Sequence, residues 1–252
     1  MTKESRFKEK SNNTKENLQY LKKLDEYFKK SIGTNVEKLQ NFAKYVPRQD
    51  LTNFLARYEV FKKILHVPGN IIDCGVLFGG SLMAFAQFSA IFEHTNLMRK
   101  IIGFDTFSGF PELTKEDGNY SEFSRKGGFA INSYNDLQKC IKLYDSNRFL
   151  NHIPKIELVR GDATKTIPKY IKDNPATVVS LLHIDFVLYE PTKTALEYFV
   201  PRMPKGAIIV FNLLNDNIHW PGTTKAVLDT IGINNLKIHK FSFTPYTQYV
   251  VL

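Results

Sequence analysis

The chain has 252 residues, 43% of them hydrophobic, and a formal charge of +9; that length and apolar share support one α/β core with extra elements at one end. Two cysteines, Cys74 and Cys140, exclude a disulfide framework and a four-cysteine metal site, and the longest apolar stretch, 82–92, is too short to span a bilayer. Much of the positive charge lies early, but the lysines there sit among acids (Lys22, Lys23, Asp25, Glu26), which reads as a solvated helix surface and not as a nucleic-acid site. The opening MTKESRFKEKSNN lacks the apolar core of a secretory signal, so a cytoplasmic protein with no membrane partner is expected. In chain order, residues 1–17 are polar and predict a disordered tail. Apolar residues at Leu18, Leu21, Leu24, Tyr27 and Phe28 keep a helical spacing over 18–31, and the pattern returns over 36–45. Asp50, after Pro47, is the expected N-cap of a third helix reaching about residue 66. These helices are too thinly apolar to form a domain, so a helical cover over 18–66 is expected on a main domain of 67–252.

From Asn70 the rhythm changes. Strand-like apolar runs at 71–75, 100–105, 156–162, 178–185 and 206–211 alternate with helical patterns at 81–92, 133–143, 164–174 and after Pro191. Such alternation predicts an α/β fold, a mostly parallel sheet with helices on both faces. Two β-forming runs, 236–243 and 246–252, flank Thr244-Pro245 and predict an antiparallel hairpin at the sheet edge. A seven-stranded sheet of this kind is the layout of the Rossmann-like class I methyltransferase fold. Residues 106–132 are the least regular stretch. A loop of that length carrying Phe107, Phe110, Tyr120, Phe123 and Phe129 predicts a lid.

The strand ends carry the chemistry. The first ends in Asp73-Cys74-Gly75, with Gly79-Gly80-Ser81 beyond; its G-x-x-x-G-G spacing is not the dinucleotide fingerprint. The second ends in Asp105, where an acid accepts hydrogen bonds from ribose hydroxyls in nucleoside-binding α/β folds. The third ends in Gly161-Asp162, which could meet an adenine amine or cap the next helix. The fourth ends in His183-Ile184-Asp185, a carboxylate at the edge where open parallel sheets bind ligands. His183, inside an apolar strand, reads as a satisfied core histidine. Tyr189 and Trp220 fit packing and substrate walls equally.

At these residues the chain resembles the macrocin O-methyltransferase family from about residue 46 to 252. The resemblance rests on RYEVFKKIL, IIDCGVLFGGSL, IIGFDTFSGFP, KGGFA, LVRGDATKTIP, HIDFVLYEPTKTALE and WPG. It implies S-adenosylmethionine as cofactor, with Gly75 and Gly79 along the methionine moiety, Asp105 on the ribose and Asp162 near the adenine. Asp73, Ser81, Thr106, Ser108, Ala163 and Asp185 complete the candidate cofactor set. It also implies a small-molecule acceptor, a sugar or glycosylated natural product, and a homo-oligomer. The departures fall on the chemistry. Asp185 matches a metal ligand of the family, but Val187 stands where a candidate general base is common. Phe211-Asn212-Leu213 stands where further metal-binding acids are usual, and Thr223 where Glu is frequent. Asp185 with the Asn212 amide is a thin shell for Mg²⁺, so a weak or absent metal site is expected. The remaining proton acceptors are Asp185, His183 and His219, and His219 beside Trp220 is the best base candidate of the three. Two main readings follow: an O-methyltransferase with altered acids, or a non-catalytic S-adenosylmethionine-binding homologue. A nicotinamide oxidoreductase is opposed by the glycine spacing, and a basic RNA-modifying enzyme lacks a binding motif.

Overall fold

A computed structural model describes residues 14–119 and 121–252; the expected tail therefore lies outside the described residues over 1–13, and so does Tyr120. The chain divides into two units, 1–52 and 53–252. In the first, α1 (Lys15–Lys30) starts at Thr14, whose hydroxyl accepts from the Asn17 amide at 3.2 Å. α2 (Asn35–Gln40) opens on a capping box between Thr34 and Glu37. A 3-10 turn, Phe42–Lys44, follows. The Ser31 hydroxyl donates to Tyr45 at 3.2 Å, and Phe28 packs edge-on against the Tyr45 ring. α3 (Arg48–Lys63) begins three residues earlier than expected. Asp50 is not its N-cap: its amide bonds the Pro47 carbonyl at 3.0 Å, so proline's fixed φ sets the start and the carboxylate sits in the first turn.

In the second unit the strands are β1 (Asn70–Cys74), β2 (Ile101–Asp105), β3 (Ile156–Arg160), β4 (Val179–Ile184), β5 (Ile208–Asn212), β6 (Ile238–Lys240) and β7 (Thr247–Val251). They form one seven-stranded sheet in the order β3-β2-β1-β4-β5-β7-β6. The first five are parallel; β7 runs antiparallel between β5 and β6. The expected hairpin is present, with its second strand inserted inward and its first at the edge. Period-two alternation divides the strand residues between two cores. Ile71, Ile101, Leu181 and Ile208 face one side, against Phe61 and Ile64 at the end of α3, Leu82, Phe85 and Phe88 of α4 (Gly80–Phe92) and Leu137 of α5 (Tyr134–Asp145). Their neighbours Ile72, Ile102, Leu182 and Ile209 face the other. There they meet Ile167 and Tyr170 of α6 (Ala163–Asp173), Leu196 and Phe199 of α7 (Tyr189–Phe199) and Val227 of α8 (Gly222–Thr230). Strands buried on both faces explain why their sequence runs are continuously apolar. α7 begins before Pro191, which occupies its first turn without loss of a helical bond. α8 carries no strong periodic signal and was not anticipated from the sequence.

Reversal of strand order between β1 and β4 opens a crevice at the carboxyl edge, where the chains leave β1 and β4 toward opposite sides of the sheet. Backbone bonds continue past the strand ends and level the tips. The Asp185 amide donates to the Cys74 carbonyl at 2.8 Å, Gly75 to Phe104 at 3.0 Å and Gly161 to Asp105 at 2.9 Å. Gly75 has a φ of +98°, and a Cβ there would stand 2.6 Å from the Asp185 carbonyl oxygen. Only glycine lets β1 turn away this close to the β4 tip.

Candidate functional site

The crevice is a cavity whose floor is the strand tips. Gly75 and Leu77 follow β1, Asp105 and Thr106 follow β2, Gly161, Asp162 and Ala163 follow β3, and Asp185 to Leu188 follow β4. Leu213 comes from the end of β5, Pro191 from α7 and Trp220 from the turn before α8. The roof comes from the stretch where a lid is expected, through Thr106, Gly109, Phe110, Pro111, Gly128 and Phe129. Phe110 and Gly128 close its neck: the Phe110 amide donates to the Gly128 carbonyl at 2.9 Å and the Gly127 amide to the Phe110 carbonyl at 2.9 Å. Gly109 (φ +86°) is required there, because a Cβ would lie 2.5 Å from the Gly128 oxygen. Phe110 and Phe123 both pack on Phe129, and Phe110 and Phe129 meet Trp220 at centroid distances of 5.5 and 5.7 Å. Phe107, expected as a lid aromatic, is instead a core residue, 2% exposed and packed on Tyr134.

The sequence-derived residues sort into three groups. Gly75, Asp105, Thr106, Asp162, Ala163 and Asp185 line the cavity together. Asp105 is held by two backbone donors, Leu77 at 2.8 Å and Phe107 at 2.7 Å. Burial pushes its carboxyl above the usual carboxylate range against the pull of those amides. Each amide takes one lone pair, so the carboxylate keeps acceptor capacity toward the cavity. Asp162 is the N-cap of α6, one oxygen accepting from the Thr164 amide at 3.0 Å and hydroxyl at 2.8 Å, and it also lines the cavity. Asp185 is raised above the usual range, first by burial; the nearby His183 and Arg57 and a hydrogen bond from the Asn212 side chain oppose the shift.

Asp73 and Ser81 lie beneath the cavity. Asp73 is fully buried, one oxygen accepting from Ser81 Oγ at 2.7 Å and the other 2.6 Å from His183 Nδ1. His183 is thus a satisfied core histidine, and the three side chains tie β1, β4 and the head of α4 together. Gly79 heads α4 against Leu137 of α5, away from the lining. Ser108 is exposed on the lid stem, its amide bonded to Thr106 Oγ1 at 3.1 Å. His219 does not line the cavity; its Nδ1 lies 3.7 Å from Asp216. Tyr189 is a packing residue whose hydroxyl donates to Asp229 at 2.8 Å. Trp220 is a cavity wall, 3% exposed.

The donor set does not fit a divalent cation. The Asn212 amide donates to Asp185, and its oxygen accepts from the Thr247 hydroxyl at 3.3 Å. An N–H thus faces Asp185 where a shared cation would need a second oxygen. Val187 and Leu213 supply no ligand, and among the described residues no group of three or more His, Cys, Asp or Glu could hold a metal. The adenosyl cofactor passes the corresponding test. Three carboxylates and no Lys, Arg or His line the cavity. That charge suits a cationic sulfonium and ammonium and opposes a pyrophosphate.

Sequence reading missed Asp117 of the 3-10 turn Lys115–Asp117 in the lid. It is 1% exposed, accepting from the Tyr189 amide at 2.6 Å and the Thr114 amide at 2.8 Å. A carboxylate at the start of α7 fixes the lid to the site wall. Its only sequence signal is Thr114-x-x-Asp117, a cap pattern that names no distant partner. Among the described residues no helix is long and apolar enough to cross a membrane.

Comparison with known proteins agrees with this geometry. The family model for macrocin O-methyltransferase (TylF) matches residues 8–238. The rhamnosyl-tetracenomycin-C 4'-O-methyltransferase of Streptomyces olivaceus is 24% identical over 159 residues, 58% of this chain and 53% of that protein. The chain therefore spans about half the length of this curated relative. The crystal structure of the calicheamicin methyltransferase CalS11 superposes with a TM-score of 0.90 at 31% identity, over 95% of this chain and 93% of that one. A second structure, described as apo TDP-rhamnose 3'-O-methyltransferase CalS11, gives 0.82 at 30% identity over 95% of each chain. The O-methyltransferase NovP, at 16% identity and a TM-score of 0.59 over 79% of this chain and 78% of that one, shares the fold.

Proposed function

The chain belongs to the macrocin O-methyltransferase family, and from that premise we propose that it is an S-adenosylmethionine-dependent O-methyltransferase acting on a hydroxyl of a sugar or glycosylated natural product. The observation that carries the reading is the cation-free cavity with Asp105, Asp162 and Asp185 at three parallel strand tips. The names of its relatives, which act on a rhamnosyl tetracenomycin and on TDP-rhamnose, support the acceptor class.

Asp105 would accept the ribose hydroxyls, since its two backbone bonds fix its orientation and leave lone pairs on the cavity side. Gly75 leaves room for backbone approach, and Asp162 with Ala163, which line the same cavity, would border the base. Bound there, the cofactor supplies an electrophilic methyl group on a sulfonium. The aromatic roof would keep water from the reacting oxygen, which is then not solvated away from attack. Asp185, held by Asn212, is the one carboxylate on the acceptor side and takes the hydroxyl proton. No step requires a metal. The acceptor is the small-molecule partner; nucleic acid has no motif or surface assigned to it, and a homo-oligomer is the expected assembly.

The test is calorimetry of S-adenosylhomocysteine against the full chain with NAD as control, followed by methyl transfer to a glycoside panel in EDTA. Micromolar binding of the first and none of the second is expected; absence of S-adenosylhomocysteine binding refutes the reading. A second reading, a binding homologue without turnover, is favoured by Val187 and Leu213 beside Asp185. It would be established by tight cofactor binding with no methylated product from any acceptor.

A further inference from the structure

We propose that a second cavity, at the amino edge of the sheet, binds a small monovalent anion of halide size on the ammonium of Lys155. The inference does not depend on the methyl-transfer reading. The cavity lies between the ends of α4 and α5 and the segments that lead into β2 and β3, at the edge opposite the crevice. Its polar lining includes Glu93, Asn96, Arg148 and Lys155. Its volume of about 20 Å³ exceeds the roughly 10–15 Å³ that a single water requires. One atom-sized ligand therefore fits, and a phosphate or an organic anion does not.

The ion pairs around this cavity leave one positive charge over. One Glu93 oxygen lies 2.8 Å from Arg99 Nε and accepts from the Ser89 hydroxyl at 2.8 Å; the other accepts from the Asn96 amide at 3.2 Å. The rest of the Arg99 guanidinium donates to Ser180 and to the carbonyls of Ile64, Val67 and Gly69. Arg148 donates to Asp145 at 2.6 Å and to the carbonyls of Phe149, Leu150 and Ile153. Tyr144 donates its hydroxyl to the Ala86 carbonyl at 2.8 Å, and His94, on the exposed rim, meets Phe149 edge-on. Lys155 is 8% exposed, and among the described residues its one hydrogen bond is to the Asn96 carbonyl at 2.7 Å. An ammonium has three N–H donors, so two are left for a ligand. Both nearby acids, Glu93 and Asp145, are already held by arginines.

A buried cation without a counter-charge is costly: it gives up its proton or an anion joins it. Burial lowers the Lys155 ammonium to about 8, opposed by Glu93 and reinforced by Arg99 and Arg148. At neutral pH the lysine is still mostly charged, and the native state carries that charge at a cost. A halide in the cavity accepts the two remaining N–H bonds and offsets the charge. It binds the protonated form, so its stabilisation is full below about 8 and fades as pH rises toward 10.5, the ordinary lysine value. A water molecule would accept the same bonds and leave stability indifferent to the choice of anion.

The test melts the full chain in sodium chloride and in sodium gluconate at equal ionic strength, with the chloride NMR line width followed in parallel. At about pH 7.5, where imidazoles are mostly neutral, chloride is expected to raise the melting temperature saturably by about 2–4 °C over gluconate, the effect of a site filled at about five times its Kd. At about pH 9 that rise should fall to less than half, and the excess broadening of the chloride line should decline with it. Lys155→Met should abolish both. Equal melting in the two salts at about pH 7.5 overturns the proposal and assigns the cavity to water. A rise undiminished at about pH 9, or a chloride effect intact in Lys155→Met, overturns it equally. The salt and pH comparisons use the native chain and stand even if the variant fails to fold.

Discussion

The two halves of the carboxyl edge are built by different rules. On the β1–β3 side, polar groups are satisfied by backbone: Asp105 by Leu77 and Phe107, Asp162 by the first turn of α6. On the β4–β5 side a single carboxylate stands among apolar side chains, two of them on left-handed backbone. The first half orients its carboxylates through local bonds to backbone amides. The second leaves Asp185 poorly solvated, the arrangement expected where a group must react and not only bind. The difference teaches that one sheet edge can hold a fixed binding half beside a reactive half whose specificity comes from side chains with no role in the sheet.

The sharpest way to break this contrast is Asp185→Asn. It is expected to lower kcat/KM by roughly 10²–10⁴-fold with cofactor affinity preserved. Asp185 is raised above the usual carboxylate range, so the native state holds its proton more firmly than the unfolded chain does. Its ionisation therefore costs stability as pH rises through that window, and the variant should melt higher than the parent at neutral pH. In the parent, kcat/KM should rise with pH through a value above the ordinary carboxylate range. A flat profile at acid pH would assign the proton to another group.

Asp73→Ala tests the scaffold beneath both halves. It strands His183 and Ser81 in the core, and a loss of about 3 kcal/mol in denaturant unfolding is expected. Asp105→Asn separates the halves. It keeps one acceptor for two backbone amides, should cost about 1–3 kcal/mol, and should weaken S-adenosylhomocysteine in calorimetry while leaving acceptor affinity little changed. Asp117→Ala is the mildest. Loss of the cap at the start of α7 should cost about 1 kcal/mol and raise KM for the acceptor more than it lowers kcat, seen in steady-state kinetics.

What the sequence determined by itself was whatever is written locally. Apolar runs such as Ile71-Ile72 and Leu181-Leu182, buried on both faces, marked the parallel strands because a two-sided strand has no polar positions. Asp105, Asp162 and Asp185 were legible because a strand end is a position that chain order names. Tertiary structure alone decided which acids reach the cavity. Asp73 looks like the others in sequence, yet its carboxylate turns inward to His183, 110 residues away. Asp117 and α8 were invisible because their partners, Tyr189 in one case and the packed faces of α7 in the other, lie far along the chain. The left-handed turns at Val187 and Leu213 were equally hidden. Local propensity disfavours them, and only the packed surroundings hold the backbone there.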